Sequence, residues 1–216
     1  MKILSHRGFW FDPQERNSSL AFHRSLDNCF GIETDIRDDN GKVVISHDMP
    51  TRPVGTLLDF FDRVEAYSCC QDLIFALNIK SDGLAKTIKP LIQKYNNLDC
   101  FFFDMSIPDM REYLQLEIPV FTRISEVEQS PVWLEKSAGV WLDCFNSEWY
   151  DLSLIIDLLS QEKRVCIVSP ELHGRPYKSQ WSKLRKIDHQ DLMLCTDLPG
   201  KAEVFFNKKG VNFEKN

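Results

Sequence analysis

The chain alternates short β-type runs with helical patterns, and this order limits the folds that it can adopt. The β-type runs span residues 2–5, 31–36, 42–46, 73–79, 100–103, 120–123, 139–144, 165–169 and 192–195. Most are nearly continuous apolar stretches, which are typical of parallel strands covered by helices on both faces. Chains of this order form a parallel sheet that is either doubly wound or closed into a barrel.

Seven segments between these runs carry apolar residues at helical spacing. They span residues 17–27, 56–65, 83–94, 109–116, 151–161, 180–186 and 200–207. Asn17 or Ser18 is the predicted N-cap of the first. Only residues 36–42 leave no room for a helix, and their Asn40-Gly41 pair predicts a tight hairpin turn. About eight repeats favour an α/β fold, a compact TIM-type (β/α)8 barrel with short loops.

Length and composition predict one globular domain, residues 1–216. Hydrophobic residues make up 43% and charged residues 27%, which is ordinary for a soluble protein. The formal net charge of −6 argues against nucleic acid as the main partner, because phosphate backbones attract basic surfaces. A small phosphate substrate is still compatible with this charge, since a bound cation can reverse the local field.

Cysteine usage and hydropathy predict a cytoplasmic protein. There is no C-x-x-C motif, so we expect buried thiols in a reducing cytosol rather than disulfides or a zinc site. The N-terminus turns polar within five residues and lacks a signal-peptide core, and no apolar run approaches the roughly 20 residues of a membrane span. The seven cysteines are Cys29, Cys69, Cys70, Cys100, Cys144, Cys166 and Cys195.

Acids and histidines stand at the ends of three neighbouring β-type runs. His6 ends the first, Glu33 and Asp35 end the second, and His47 follows the third. Glu33 and Asp35 are two residues apart and therefore face the same side of a strand. Inside a barrel they would repel each other unless a hard divalent cation joined them. The alternating pattern also allows a surface pair on an edge strand.

The two histidines suggest proton transfer at that site. Histidine is the side chain best suited to carry a proton near neutral pH. One could protonate a leaving oxygen while the other takes a proton from the attacking one. Asp48 could orient His47. Together with the two acids, the pair predicts a metal-assisted site with histidine acid/base chemistry.

Four motifs follow one another within the first fifty residues: Ser-His-Arg-Gly (5–8), Asn-Ser (17–18), Gly-Ile-Glu-Thr-Asp-Ile-Arg (31–37) and Asp-Asn-Gly-Lys-Val-Val-Ile-Ser-His-Asp (39–48). Their order and spacing resemble the glycerophosphodiester phosphodiesterases. The resemblance continues more weakly in Ala-Leu-Asn-Ile-Lys (76–80), Phe-Phe-Asp (102–104) and Leu-Cys-Thr-Asp-Leu-Pro (194–199). It spans nearly the whole chain, firmly to Asp48 and loosely beyond it.

The resemblance implies a TIM-type barrel that hydrolyses phosphodiesters with one divalent cation, Mg²⁺ or Ca²⁺. The implied substrate is a small molecule, a glycerophosphodiester or a related sugar or polyol phosphodiester. In this family a substrate hydroxyl often attacks first and gives a cyclic phosphate, and the sequence leaves this route and direct attack by water open. By motif match, the resemblance implies that His6 and His47 are the acid/base pair. It implies that the metal ligands are Glu33, Asp35 and Asn78. The side chains that offset the charge of the phosphate would be Arg7 and Lys80.

Two residues depart from the family pattern. Asn78 stands where the family has a third acidic ligand, so the charge of the bound site would sum to zero instead of −1 and cation binding should weaken. Arg16 stands where the family has an acid before Asn17, unless Glu15 takes that place through a one-residue shift. These departures are compatible with tolerated drift in an active enzyme, with a changed substrate or metal preference, or with lost catalysis.

Later β-type runs also end in polar residues. As a functional hypothesis, Asp143 or Glu171 restores the missing carboxylate or holds polyol hydroxyls, and Arg175 contacts a phosphate. Alternatively, residues 169–175 form an ordinary hydrated loop in which Glu171 and Arg175 pair with each other.

Two other functions stay open. One is a catalytically altered or inactive phosphate-binding barrel, which Asn78 motivates. The other is a different barrel enzyme, such as a sugar isomerase or aldolase with a Schiff-base lysine at Lys80, which the two histidine motifs fit poorly.

Overall fold

Eight parallel strands form a nearly closed barrel, with helices on its outside. The structure is a computed structural model that describes residues 1–51, 54–67 and 72–207. The strands are β1 (Lys2–His6), β2 (Gly31–Asp39), β3 (Lys42–Ile45), β4 (Ile74–Ile79), β5 (Asp99–Phe103), β6 (Phe121–Ile124), β7 (Gly139–Leu142), β8 (Arg164–Val168) and β9 (Leu192–Thr196). The α-helices in these ranges are α1 (Ser19–Asp27), α2 (Leu57–Glu65), α3 (Ala85–Lys94), α4 (Ile107–Gln115), α5 (Leu152–Ser160), α6 (Lys178–Leu184) and α7 (Pro199–Asn207).

The barrel strands follow the order β5-β4-β2-β1-β9-β8-β7-β6 around the sheet. The two edge strands of this sheet, β5 and β6, meet where the barrel closes. There the Phe102 N–H donates to the Pro119 carbonyl at 2.9 Å, so a single bridge links β5 to the segment before β6. The short β3 pairs antiparallel with β2 through the predicted Asn40-Gly41 turn. The predicted TIM-type (β/α)8 barrel is confirmed.

Alternation of side chains along the strands explains why the site lies at one end of the barrel. The barrel interior is filled by apolar side chains: Leu4, Ile74, Ala76, Phe101, Phe103, Phe121, Trp141, Cys166, Val168, Met193 and Cys195. Two residues further toward the C-terminal end of several strands, the next inward-facing position carries a polar side chain. These next positions are His6 after Leu4, Asn78 after Ala76, Asp143 after Trp141 and Asp197 after Cys195. Polar groups therefore converge on top of a dry interior.

Two predictions about the cysteines and helix starts can be compared with the structure. Ser18 caps α1, since its side chain accepts a hydrogen bond from the Ala21 N–H. Cys100, Cys144, Cys166 and Cys195 are buried thiols as predicted, whereas Cys29 is exposed. Cys69 and Cys70 lie outside the described residues.

The helices of the structure can be compared with the prediction that no segment is long and apolar enough to span a membrane. Among the helices of residues 1–51, 54–67 and 72–207, none has the length and apolar character needed to cross a membrane.

Gly8 holds the turn that follows the His6-Arg7 pair. It has a φ of +83°, and a Cβ there would lie 2.8 Å from the Ala21 Cβ and 2.9 Å from the Ala21 carbonyl carbon. We expect Gly8→Ala to lower the free energy of unfolding by about 2–4 kcal/mol, because left-handed backbone and overpacking both cost energy. Gly41→Ala is the matched control: its φ is +77° but a Cβ there meets no atom within 4 Å. Equal losses for both variants in urea unfolding would contradict the steric contribution.

Candidate active site

The C-terminal ends of β1 and β9 bring His6 and Asp197 together. The His6 Nδ1 lies 2.7 Å from the Asp197 Oδ1. A carboxylate only accepts, so Nδ1 carries the proton of this bond and Nε2 faces the site. The His6 Nε2 is 3.9 Å from the Glu33 Oε2. The pairing thus fixes both the orientation and the tautomer of the predicted acid/base residue.

Glu171 supports this pair from the loop after β8. Its carboxylate accepts hydrogen bonds from the Ser169 and Thr196 hydroxyls, and from the Asp197 backbone N–H at 3.2 Å. The Asp197 backbone is therefore anchored at the end of β9. This contact links Glu171 to His6 through Asp197, a supporting arrangement that the sequence did not suggest.

Asp35 is the centre of a buried ionic network. The Arg7 Nε lies 2.9 Å from its Oδ2, and the Lys80 Nζ lies 3.4 Å from its Oδ1. The Asn17 side-chain amide donates to its Oδ2 at 2.8 Å, and Asn17 is itself held by the Thr34 hydroxyl. The two side chains predicted to offset the charge of a phosphate, Arg7 and Lys80, therefore both contact the carboxylate of Asp35, which has no solvent exposure.

Glu33 lies beside this network on the same strand. It is 1% exposed, and its Oε2 accepts the Arg7 backbone N–H at 3.1 Å. Arg7 adopts a left-handed backbone, with a φ of 56°, and thereby contacts Glu33 with its main chain and Asp35 with its side chain. Burial, and then the charge of Asp35, raise the pKa of Glu33 to about 7. The predicted acid pair does face the barrel interior, so the surface-pair alternative is wrong.

We expect any binding of a divalent cation by Glu33 to depend on pH, because the pKa of this carboxyl is raised. A cation binds the ionised carboxylate, so below pH 7 binding has to release the Glu33 proton. We expect the affinity for Ca²⁺ to fall by up to about tenfold per pH unit below 7 and to level off above it. Calorimetric titrations between pH 5.5 and 8.5 measure this, and Glu33→Gln should bind more weakly with little pH dependence. A flat profile for the unmodified chain would contradict the prediction.

Asn78 lies beside Asp35, since the two residues are register partners of β4 and β2. Its amide nitrogen donates to the Asp104 Oδ2 at 3.2 Å. Arg123 approaches the other oxygen of Asp104, with Nη1 3.2 Å from Oδ1. Burial raises the pKa of Asp104. A second group of charges thus continues the site across β4, β5 and β6.

The buried side-chain oxygen atoms of this region are of the kind that a hard divalent cation prefers as ligands. The Asp35 Oδ1 and Asn78 Oδ1 atoms are both buried, and neither accepts a hydrogen bond from any residue that the structure describes. Within the described residues, no three His, Cys, Asp or Glu side chains are already gathered as a metal-binding group. A set made of Glu33, Asp35 and Asn78 includes an amide, which is a common ligand of Mg²⁺ and Ca²⁺.

His47 lies on the rim of the site, one residue after Ser46. The Ser46 N–H donates to the Asp35 carbonyl at 3.1 Å, which ties the end of β3 to the acid network. The side chain of His47 is 44% exposed, and its Nδ1 lies 2.9 Å from the Asp48 Oδ1, the predicted contact. His47 and Arg7 line a common cavity of about 710 Å³.

The side chains at the later strand ends make contacts within the chain, and their predicted roles toward a substrate stay predictions. Asp143 pairs with His173, whose Nε2 lies 2.7 Å from the Asp143 Oδ1. The Arg175 guanidinium donates to the carbonyls of Cys144 and Phe145, the latter at 3.2 Å, and lies 2.9 Å from the Cys144 sulfur. Arg175 thus braces the loop after β7. No Glu171–Arg175 ion pair is present in the described part of the chain, so the hydrated-loop alternative is wrong in that detail.

Arg16, the second departure from the family pattern, reaches the partner of His6. Its Nη2 lies 3.7 Å from the Asp197 Oδ2, and its guanidinium stacks 4.3 Å above the Trp10 ring. Glu15 instead pairs with Arg24 at 2.5 Å. The one-residue shift is therefore not realised, because the Glu15 carboxylate is paired with Arg24 of α1.

Several supporting residues of the site could not be assigned from the sequence. In the sequence, Asp197, Asp104 and Arg123 are marked only by their place at strand ends, and His173 only by its polar loop. Their common signal is position, since each lies at or just after the C-terminal end of a barrel strand. Their pairings join residues that are far apart in the sequence, so no local pattern shows them.

Comparisons with known proteins agree with this architecture. No protein-family model and no curated protein matches the sequence. Among solved structures, a glycerophosphodiester phosphodiesterase from Agrobacterium tumefaciens str. C58 matches with a TM-score of 0.70 at 15% identity, over 94% of this chain and 99% of that one. An Oleispira antarctica phosphodiesterase, solved in complex with the product sn-glycerol-3-phosphate, matches with a TM-score of 0.69 at 15% identity, over 96% and 97%.

A more distant match has a related fold. A Ca²⁺-dependent phosphatidylinositol-specific phospholipase C from Streptomyces antibioticus matches with a TM-score of 0.62 at 10% identity, over 95% of this chain and 96% of that one. The coverage is nearly complete in all three cases. The chain therefore has the fold of the glycerophosphodiester phosphodiesterases, as its motifs predicted.

Proposed function

We propose that this chain is a metal-dependent phosphodiester hydrolase acting on a glycerophosphodiester or a related sugar or polyol phosphodiester. The observation that carries the proposal is the meeting, at one barrel mouth, of an oriented histidine, two buried carboxylates and two cationic side chains. The fold similarity to a phosphodiesterase solved with sn-glycerol-3-phosphate supports the substrate class.

His6 and His47 act as the acid/base pair in this proposal. Asp197 holds the His6 Nδ1, which leaves Nε2 to exchange a proton with an oxygen of the phosphodiester. The His47 Nδ1 lies 2.9 Å from the Asp48 Oδ1, in a more exposed pair at the rim of the cavity. One histidine therefore takes the proton of the attacking hydroxyl, and the other protonates the leaving alcohol.

The positive charges of Arg7 and Lys80 offset the negative charge of a bound phosphate in this proposal. Arg7 and Lys80 both lie against Asp35, so a phosphate that enters beside them meets cations already held in place. Glu33, Asp35 and Asn78 would hold the divalent cation, which polarises a phosphoryl oxygen when it is bound. The remaining work of the chain is to orient the diester between the two histidines.

Hydrolysis of a substrate panel tests the proposal. Purified protein is incubated with glycerophosphodiesters and with a sugar phosphodiester in Mg²⁺, Ca²⁺ or Mn²⁺, and ³¹P NMR follows the products. We expect turnover of at least one diester, its loss in EDTA and its return when the cation is restored. The same spectra show a cyclic phosphate if a substrate hydroxyl attacks first.

Asn78 favours a second candidate, a phosphate-binding barrel without catalysis. The neutral amide lowers the negative charge available to a cation, which would weaken the chemistry more than the binding of an anion. Binding of sn-glycerol-3-phosphate without turnover of any diester in the panel would support this candidate and contradict the hydrolase.

A further inference from the structure

We infer that Asp104 is a positioning residue for the cation site: it holds the Asn78 amide so that the oxygen faces the cation, and the Asn78–Asp104 pair thereby replaces an acidic ligand on β4. The inference rests on the proposed cation-dependent function. It assigns a role to Asp104 and explains how a neutral residue can stand at position 78.

The hydrogen bond between the two side chains fixes the amide. The Asn78 Nδ2 donates to the Asp104 Oδ2 at 3.2 Å, and an ionised carboxylate can only accept. The Asn78 Oδ1 therefore has to lie on the other side of the amide group. It is buried there and accepts no hydrogen bond from the described residues.

The Asn78 Oδ1 is accompanied by a second buried oxygen that accepts no hydrogen bond within the described part of the chain. The Asp35 Oδ1 is also buried and accepts no hydrogen bond from the described residues, with the Lys80 Nζ 3.4 Å away. Because Asp35 and Asn78 are register partners on adjacent strands, their side chains emerge on the same side of the sheet. A buried acceptor without a hydrogen-bond donor is costly. A divalent cation shared by the two oxygens would remove that cost.

An amide needs such a partner, whereas a carboxylate does not. Either oxygen of an acid can face a cation, but a flipped asparagine presents its NH₂ group and repels it. Asp104 prevents the flip and also adds a negative charge next to a neutral ligand. Groups that orient ligands in this way typically contribute about 10–100-fold to metal affinity.

Asp104 lies beside Arg123 at the end of β5. It follows β5 in a left-handed conformation, with a φ of 66°. The Arg123 Nη1 lies 3.2 Å from its Oδ1, and the Arg123 Nε binds the Glu128 Oε2 at 2.5 Å. Glu128 thus contacts the same arginine from the outside without contacting Asn78, which makes it a matched control.

Calorimetric titration with Ca²⁺ or Mg²⁺ alone tests the inference without requiring turnover. The variants are Asp104→Asn, Glu128→Gln, Asn78→Asp and the double variant N78D/D104N, each compared by thermal unfolding as well. We expect Asp104→Asn to weaken cation binding by about 10–100-fold and Glu128→Gln to change it by less than about threefold. The double variant exchanges acid and amide and should bind at least as tightly as the unmodified chain, because a carboxylate on β4 needs no orientation.

Three results would overturn the inference. The first is unchanged cation affinity in Asp104→Asn, and the second is an unmodified chain that binds neither cation. The third is that D104N lowers the cation affinity of the N78D variant by the same factor as it lowers that of the unmodified chain. These results differ from failure of the proposed function. Diester turnover without cation binding would overturn the role of Asp104 and leave a hydrolase. Asp104-dependent cation binding without turnover would overturn the hydrolase and support the role of Asp104.

Discussion

Replacing His6 with alanine is expected to lower kcat for the best diester by about 10²–10⁴-fold, the usual contribution of a positioned acid/base group. The reason is geometric: the His6 Nε2 faces the acid pair, 3.9 Å from the Glu33 Oε2, while Asp197 fixes its other nitrogen. Steady-state kinetics with saturating cation measure the effect, and the pH–rate profile should lose one of its two limbs.

The matched control for this variant is His189→Ala. His189 lies before β9, at the opposite end of the barrel from the site, and its ring accepts the Asp191 N–H. It should leave kcat within about twofold, since surface substitutions away from special contacts rarely matter. Full cation-dependent hydrolysis in both His6→Ala and His47→Ala would disprove the acid/base assignment.

Asp35→Asn should have a comparably large effect, and on stability as well as activity. The substitution leaves Arg7 and Lys80 facing a neutral amide at a position with no solvent exposure. Removing one partner of a buried ion pair costs about 3 kcal/mol, because the remaining charges lose their compensation. We expect that loss in the free energy of unfolding, together with at least about a 100-fold fall in kcat/KM from the lost ligand and the displaced cations.

Asp38→Asn provides the control on the same strand. Asp38 is exposed near the end of β2, so the same chemical change should alter the free energy of unfolding by less than about 0.5 kcal/mol. Urea unfolding and steady-state kinetics on both variants give the comparison. Equal stability for Asp35→Asn and Asp38→Asn would mean that the ionic network contributes nothing to folding.

The sequence predicted the barrel because the signals for it are local. Continuous apolar runs, helical stripes and the Asn40-Gly41 turn each depend on residues within about ten positions of one another. The acids Glu33 and Asp35 could be assigned to one face for the same reason, since the spacing of two residues decides it. The His47–Asp48 contact joins neighbours and was likewise within reach.

The pairings that make the site could not be predicted in this way. His6 meets Asp197 across 191 positions, and Asn78 meets Asp104 across 26. These contacts exist because the sheet places β1 beside β9, and β4 beside β5. Arg175 makes further contacts of this kind: its guanidinium donates to two backbone carbonyls in the loop after β7, 30 and 31 positions away.

By itself, then, the sequence determined which strands form, which faces they bury and which end of the barrel carries chemistry, because these follow from periodicity and strand direction. Only the tertiary structure decided that His6 is oriented by Asp197, that Arg7 and Lys80 share Asp35, and that Asn78 is held by Asp104. The physical reason is that a hydrogen bond depends on ångström-scale distances, which are set by the arrangement of the strands in the barrel and not by separation along the chain.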